Sequence, residues 1–228
     1  MAAQPVIHIV CSDRHRNGKT LLARVLVDYL MLDGRDPFVI DAGFPDGPLR
    51  NYFPGRTALV DFEATAGRMK LFDTILGSPG RDYVIDLPSA QTDNFFKACV
   101  ELGFIAEAQG HRFRIVVLFI VDQNPDSLKS AATLETRVRP DLMVPVRNAF
   151  IGSALTDAGH RTVIDIPPLD PEIMALTEAK RFSFRSFLLD DGQGLTPPQK
   201  TKLKSFLYEI MVGLRNIAPA ITLRALKN

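Results

Sequence analysis

The sequence predicts an α/β fold of three layers, in which a mainly parallel central sheet is flanked by helices. Short β-branched runs alternate with longer helical patterns along the chain, and this order is typical of βαβ units. The strand-like runs are almost entirely apolar, as expected for strands that helices cover on both faces. A length of 228 residues suits one hydrophobic core, so residues 1–228 are expected to form a single domain.

The predicted strands are short apolar runs that end at polar residues or turns. Their regular spacing between helical patterns is the reason to place them in one sheet. We predict six strands: Val6–Val10, Phe38–Asp41, Tyr83–Asp86, Ile115–Val121, Leu142–Val146 and Thr162–Ile166.

The predicted helices are bounded by residues that commonly start or stop helices. The first stops at Asp33-Gly34, the fourth stops before Pro140, and the last begins with Thr196 as a cap followed by Pro197. We predict six helices: Lys19–Leu32, Phe62–Leu76, Thr92–Gln109, Pro125–Val138, Pro171–Lys180 and Pro197–Ile217.

Two segments lack a clear period. Gly43–Arg56 holds three prolines and three glycines directly after a strand, which predicts a structured loop of the kind that often carries function. Arg181–Gly194 is interpreted as a partly packed crossover to the last helix. Its phenylalanines Phe182, Phe184 and Phe187 alternate with basic residues, as in base-stacking segments, but burial of the rings is the favoured interpretation.

Composition excludes several classes of protein. There are 27 basic and 26 acidic residues, so the net charge of +1 provides no overall field for nucleic acid or an anionic membrane. The two cysteines do not form a disulfide framework in a chain of this length, and the four histidines lack the spacing of metal ligands.

No segment of the sequence predicts membrane insertion or export. Met1–Pro5 lacks the charged and apolar regions of a signal peptide, and the longest apolar run, Ile115–Val121, is too short to span a bilayer. The last helix is amphipathic, and packing against the core explains it better than lipid binding, because the tail Thr222–Asn228 is short. We expect a cytoplasmic protein that does not associate with membranes.

A phosphate-binding loop is predicted where the first strand meets the first helix. Val6–Thr20 reads VIHIVCSDRHRNGKT and an amphipathic helix follows at once, which is the context that a P-loop requires. Backbone N–H groups would point at the phosphates, Lys19 would add a positive charge, and the Thr20 hydroxyl would ligate Mg²⁺. A chance Gly-Lys-Thr triplet is the alternative, and the position of the triplet argues against it.

The loop differs from a standard Walker A motif. Asp13 stands where that motif has a glycine, and the interior Arg14-His15-Arg16-Asn17 contains no glycine. Because residues with side chains resist positive φ, we expect the loop to be strained or to need side-chain rearrangement around a triphosphate. Arg14 and Arg16 are candidates for an anion clamp, since guanidinium groups bind phosphate bidentately.

These features resemble the ParA/MinD family of deviant Walker A ATPases, whose loop runs Lys-Gly-Gly-x-Gly-Lys-Thr. Aligning the Gly-Lys-Thr ends places Arg14 at the family's signature lysine, which reaches across a nucleotide-sandwiched dimer. A cation is retained there, although arginine binds phosphate with different geometry from lysine. The resemblance covers most of Val6–Leu169.

Three strand ends carry the rest of the resemblance. The segment PFVIDAGFPDGPL is similar to the family segment whose strand-end aspartate, here Asp41, faces the γ-phosphate and its water. DYVIDLPSA resembles the Walker B segment, with Asp86 holding Mg²⁺ through water, and LMVPVRNAF ends like the strand whose asparagine, here Asn148, reads adenine. An ordinary strand-end aspartate that caps a turn is the alternative for either acid. Both lie at carboxyl ends of parallel strands, where open sheets bind ligands.

The resemblance implies slow ATP hydrolysis with Mg²⁺, coupled to a nucleotide-dependent homodimer and to a protein partner or non-specific DNA. The plasmid mobilisation and partition branch, with its MobD-like and TraL-like proteins, has the most similar loops. The implied roles are catalytic for Lys19, Asp41 and Arg14, cofactor-binding for Asn17, Gly18, Lys19, Thr20, Leu21 and Asn148, and metal-binding for Thr20 and Asp86.

Two other functions remain open from the sequence. The unusual loop would suit an adaptor that has lost hydrolysis and responds to nucleotide weakly or not at all. A small-molecule kinase or synthetase of the same superclass would need a substrate pocket between the loops Gly43–Arg56 and Ser89–Phe95, and no group of residues there identifies a substrate.

Overall fold

The computed structural model describes residues 4–156, 162–179, 181–190 and 194–220. Within these ranges the strands form one seven-stranded sheet in which every neighbouring pair is parallel. The strands are β1 (Val6–Cys11), β2 (Phe38–Asp41), β3 (Thr57–Leu59), β4 (Tyr83–Asp86), β5 (Arg114–Val121), β6 (Leu142–Asn148) and β7 (Ile164–Ile166). Their spatial order is β3-β2-β4-β1-β5-β6-β7, so β1 lies at the centre.

Helices cover both faces of this sheet, as the sequence predicts. The described helices are α1 (Lys19–Leu32), α2 (Leu49–Tyr52), α3 (Thr65–Leu76), α4 (Ser89–Glu101), α5 (Phe104–Gly110), α6 (Pro125–Val138), α7 (Pro171–Ala179), α8 (Phe184–Asp190) and α9 (Pro197–Arg215). None of the described helices is long and apolar enough to cross a membrane.

The sheet separates two hydrophobic clusters. Val6 and Val10 of β1 pack into the cluster that includes α1 and α9, whereas Ile7 and Ile9 pack into the cluster that includes α3 and α4. Side chains alternate between the faces of a strand, so a strand covered on both faces must be apolar at every position. This explains why β1 is apolar at every position except His8, which is buried as well.

Two helices differ clearly in their bounds from those predicted, and three elements were missed. The predicted helix Thr92–Gln109 is two helices, because Gly103 takes the left-handed conformation with φ 66° and ends the path of α4. The helix predicted from Phe62 begins only at Thr65, and the Phe62 side chain is buried in the core instead. The sequence did not predict β3, α2 or α8.

The C-terminal part of the described chain packs on the face that carries α1. Phe182, Phe184 and Phe187 are fully buried there, which confirms the interpretation of this segment as packed rather than base-stacking. Thr196 forms a capping box at the start of α9, as its position before Pro197 predicts. The tail Thr222–Asn228 lies outside the described residues.

Candidate functional site

The predicted site residues lie at the carboxyl ends of four strands, on one side of the sheet. β1, β2, β4 and β6 all run in the same direction, and the loops that follow them carry the phosphate loop, Asp41, Asp86 and Asn148. Asp41 and Asp86 are register partners on adjacent strands. The parallel topology therefore brings together residues that are more than 100 positions apart in the chain.

The glycine-poor loop achieves its turn with two left-handed residues. Gly18 has φ 98°, and Arg16 has φ 55°, a conformation that residues with side chains adopt at a cost. Side chains brace the loop from within, since Ser12 Oγ accepts the Arg14 N–H at 3.0 Å and also accepts Asn17 Nδ2. Asp13, which replaces a glycine, accepts the Ser127 hydroxyl of α6 at 2.9 Å.

Lys19 lies folded into the loop that it follows. Its Nζ donates to the Arg14 carbonyl oxygen at 2.6 Å and to Asn17 Oδ1 at 3.1 Å, and the side chain is almost completely buried. Burial is the largest influence and lowers the pKa of Lys19, while the neighbouring Asp86 raises it. The loop thus holds the positively charged ammonium group of Lys19, whose N–H groups could donate to a phosphate oxygen.

Thr20 and Asp86 are in direct contact. The Thr20 hydroxyl donates to Asp86 Oδ2 at 2.7 Å, at the point where α1 begins and β4 ends. Burial raises the pKa of Asp86 to about 7, since only 4% of the residue is exposed, and nearby Asp41 raises it further while Thr20 and Lys19 lower it. Lys19 compensates the charge of this buried carboxylate only in part, and a divalent cation would supply further positive charge.

The oxygen atoms of Thr20 and Asp86 fit Mg²⁺ better than a metal whose ligands all come from the protein. No cluster of three or more His, Cys, Asp or Glu ligands occurs in the part of the chain that the structure describes. Mg²⁺ usually takes one or two protein oxygens and fills its remaining positions with water and substrate phosphates. The hydroxyl of Thr20 and the carboxylate of Asp86 meet that requirement.

Asp41 holds the loop that follows it. Its Oδ1 accepts the Gly43 N–H at 2.9 Å and its Oδ2 accepts the Leu49 N–H at 2.8 Å, so both oxygens bind backbone. Gly47 packs against the carboxylate so closely that a Cβ would lie 2.4 Å from Asp41 Cγ. Burial raises the pKa of Asp41, and the two backbone bonds oppose that shift. Its predicted role in orienting water stays a prediction.

Asn148 contacts the phosphate loop directly. Its Nδ2 donates to the Asn17 carbonyl oxygen at 2.9 Å, and its Oδ1 accepts the Phe150 N–H at 3.0 Å. These bonds tie the end of β6 to the loop and place the amide beside Gly18. Recognition of adenine by this side chain stays a prediction.

The two arginines of the loop have different surroundings. Arg14 Nε pairs with Asp122 Oδ2 at 3.1 Å, beyond the end of β5, and about half of the side chain is exposed. Arg16 instead lies at the wall of a cavity next to Gly18 and Asn148. The proposed contact of Arg14 with a second protomer therefore competes with Asp122 of its own chain.

A cavity of about 480 Å³ adjoins the loop on the side of β6 and β7. Its size is within the range of small-ligand sites, and apolar side chains dominate its lining. Asn17, Gly18, Lys19, Thr20 and Leu21 line its inner end. Walls that the sequence did not predict come from Phe150, Ile166, Leu169, Met174 and Phe206, with a carboxylate from Glu178.

Sequence comparison alone finds no relative, since no family profile and no curated protein matches the sequence significantly. Solved structures do match. The MinC:MinD cell division protein complex of Aquifex aeolicus aligns with a TM-score of 0.55 and 13% identity over 93% of this chain and 96% of that chain. MinD from the same organism gives 0.50 and 15% identity over 93% and 97%.

A third match is the nucleotide-binding protein of Archaeoglobus fulgidus, solved in complex with ADP. It has a TM-score of 0.51 and 14% identity over 78% of this chain and 88% of that chain. At these identities the similarity establishes the fold. The chain has the three-layer P-loop fold of the MinD-like ATPases, as predicted from its motifs.

Proposed function

We propose that this protein binds ATP with Mg²⁺ and hydrolyses it slowly, as a ParA/MinD-like ATPase. The observation that carries the proposal is the convergence of Lys19, Thr20 and Asp86, in which the Thr20 hydroxyl is 2.7 Å from Asp86 and Lys19 lies beside both. A lysine and a hydroxyl at the start of one helix, with a carboxylate at the end of the neighbouring strand, are the groups that a Mg²⁺-bound polyphosphate requires.

The nucleotide fits the site in one orientation. The phosphates occupy the loop, where Lys19 and the backbone N–H groups at the start of α1 neutralise them. The nucleoside then enters the apolar cavity, which opens beside Gly18 and Asn148. The Archaeoglobus fulgidus protein of the same fold was solved with ADP, which supports nucleotide as the class of ligand.

Hydrolysis would depend mainly on positioning. Bound Mg²⁺ would neutralise phosphate charge, with Thr20 and Asp86 holding it. Asp41 lies on the strand next to Asp86 and is the candidate to orient the attacking water. Each of its oxygens accepts one backbone N–H and keeps a lone pair for water, but only 1% of Asp41 is exposed. The loop after β2 would therefore have to shift to admit the water, and slow turnover is the expected result.

Dimerisation and a partner belong to the same proposal. Arg14 is half exposed at the phosphate loop, where a second protomer would meet it after release from Asp122. One of the matching structures is MinD in complex with MinC, which supports a protein partner for this fold. The proposal includes a biological setting, in which the protein acts in plasmid mobilisation or partition in the cytoplasm.

Titration calorimetry with ATP and Mg²⁺ tests the proposal. Lys19→Ala should weaken ATP binding by about 10- to 100-fold, since a hydrogen bond to a charged group contributes about 1.5–3 kcal/mol. Asp86→Asn should remove the dependence of binding on Mg²⁺. The matched control is Lys97→Ala, which removes an exposed lysine on α4 and should bind like the parent.

Rates of phosphate release and the ATP-dependent molar mass from light scattering extend the test to catalysis and dimerisation. Equal ATP affinity, hydrolysis and mass for the parent and for Lys19→Ala would count against the assignment of the site.

One observation favours a second candidate, an adaptor that does not depend on nucleotide. Two of the three Lys19 ammonium donors already bind acceptors within the loop, the Arg14 carbonyl oxygen and Asn17 Oδ1, so the lysine is largely satisfied without a phosphate. An adaptor of this kind would give no heat on addition of ATP and Mg²⁺, whereas the ATPase would.

A further inference from the structure

Arg24 is a buried cation on α1 to which the proposed chemistry assigns no role. It lies five positions after Lys19 on the same helix, and only 3% of it is exposed. Burial lowers the pKa of Arg24, while Tyr52, Asp28 and Glu178 raise it, in that order. Apolar side chains of similar volume often stabilise a core at least as well as a buried charge, so a buried arginine calls for a specific role.

The guanidinium of Arg24 joins four elements. Its Nη2 donates to the Phe182 carbonyl oxygen at 3.1 Å and to the Thr177 carbonyl oxygen at 3.4 Å. The group also lies 3.6 Å from the ring centroid of Tyr52 and 4.6 Å from that of Phe184. Arg24 therefore connects α1 to the end of α7, the start of α8 and the end of α2.

The contact with α7 has a clear electrostatic basis. Thr177 lies in the last turn of α7, where carbonyl groups lack partners within the helix and a cation is favourable. One turn after Arg24, Asp28 Oδ2 accepts the Phe184 N–H at 2.9 Å. The two side chains thus fix both ends of the segment between α7 and α8 against α1.

α7 forms one wall of the cavity next to the phosphate loop. Met174, Ala175 and Glu178 face the cavity, and Thr177, which Arg24 holds, lies between the last two. α1 carries Lys19 and Thr20 at its own start. Arg24 therefore links the helix that carries the phosphate position to the helix that forms the apolar wall, alongside the core packing of Ile173 and the hydrogen bond from the Phe182 N–H to the Thr177 carbonyl oxygen at 3.1 Å.

We infer that Arg24 is a positioning residue for the nucleoside half of the site. It holds α7 in register with the helix that carries the phosphate loop, so that one ligand can contact both. This inference rests on the proposed function. Arg24 itself contacts neither part of the nucleotide, and its loss should weaken the binding of the nucleoside without weakening the binding of the phosphates.

Calorimetry with two ligands separates these effects. Arg24→Met should bind MgATP about tenfold more weakly than the parent, because α7 loses one hydrogen bond and the nearby cation, and the segment after it loses a second hydrogen bond. The same variant should bind inorganic tripolyphosphate with Mg²⁺ within about twofold of the parent, because the phosphate loop is unchanged. A general loss of stability would weaken both ligands together.

A matched control is Arg35→Met. Arg35 is a partly buried arginine that pairs with Asp82, and it lies at the opposite end of the strands from the site. It should show no difference between the two ligands. If Arg24→Met does not fold, Arg24→Lys keeps the charge but cannot reach both carbonyl groups in the same way, and it should show the same selective loss at about threefold.

Each result is decisive. A selective loss of MgATP affinity in the Arg24 variants, absent in Arg35→Met, supports the inference. Equal weakening of both ligands, no weakening, or the same selectivity in Arg35→Met overturns it while the parent's ATP binding stands. Failure of the parent to bind either ligand overturns the proposed function, and the inference with it.

Discussion

Replacing Gly18 with alanine tests the geometry of the phosphate loop directly. Gly18 has φ 98°, and a Cβ at this position would lie 2.7 Å from Asn148 Nδ2. The added methyl group must therefore push the amide away from the Asn17 carbonyl oxygen, to which it now donates at 2.9 Å. The substitution should therefore lower the free energy of unfolding for two reasons, the unfavourable backbone conformation and the lost hydrogen bond.

Their magnitudes follow from the structure. The left-handed conformation costs a residue with a side chain about 1–2 kcal/mol. A buried carbonyl that loses its partner costs about 1–3 kcal/mol more. Gly18→Ala should therefore lower the free energy of unfolding by about 2–5 kcal/mol. Gly34→Ala is the control, because Gly34 has φ 77° but no atom within 4 Å of its Cβ position, so only the backbone cost applies.

Urea denaturation followed by circular dichroism measures both variants. In a double-mutant cycle, Asn148→Ala should cost about 1 kcal/mol less in the Gly18→Ala background than in the parent, because the bond is already broken. ATP affinity should fall in Gly18→Ala and stay unchanged in Gly34→Ala. Equal losses of stability in the two glycine variants, together with additive costs in the cycle, would refute the reasoning.

Two further predictions concern buried carboxylates. Burial raises the pKa of Asp28 to about 6, so between about pH 4 and 6 the folded protein holds a proton that the unfolded chain releases. The contribution of Asp28 to stability should therefore fall by up to about 3 kcal/mol as pH rises through this window. Asp28→Asn should reduce the slope in urea titrations and leave the part that Asp86 contributes with its own raised pKa. Gly47→Ala would place a Cβ 2.4 Å from both Asp41 Cγ and Leu59 Cδ1, so the melting temperature should drop as expected for about 1–3 kcal/mol, whereas Gly80→Ala, in open space, should melt like the parent.

Either prediction can fail plainly. An unchanged pH slope in Asp28→Asn would mean that other groups account for it. Equal melting temperatures for Gly47→Ala and Gly80→Ala would show that the loop after β2 moves aside without cost.

The fold could be predicted from the sequence because its signals are local. The apolar runs and the strand-loop-helix order around Lys19 each lie within about twenty residues. The elements that were missed lack such signals. β3 has only three residues, which are too few to show an alternating pattern, and α8 has only seven residues, which combine core-facing and surface positions. The break at Gly103 was missed because a glycine inside a helical pattern is compatible with either outcome.

The site could be predicted only in part for a related reason. Thr20 and Asp86 meet because strand ends converge, which parallel topology dictates. The pairing of Arg14 with Asp122 and the two backbone bonds of Asp41 depend on loop paths that no local pattern encodes. The apolar cavity combines residues between Arg16 and Phe206, so only the folded chain shows it.

Phe206, on α9, has a consequence for how the protein is made. The phosphate loop emerges from the ribosome early, but the cavity beside it lacks a wall until α9 has been synthesised and has packed over β7. If the proposed function holds, a nascent chain would form the site for the phosphates long before it could bind a whole nucleotide. Ligand capture would then wait until α9 has been synthesised, and chains truncated before α9 would be left without the stabilisation that a bound ligand confers.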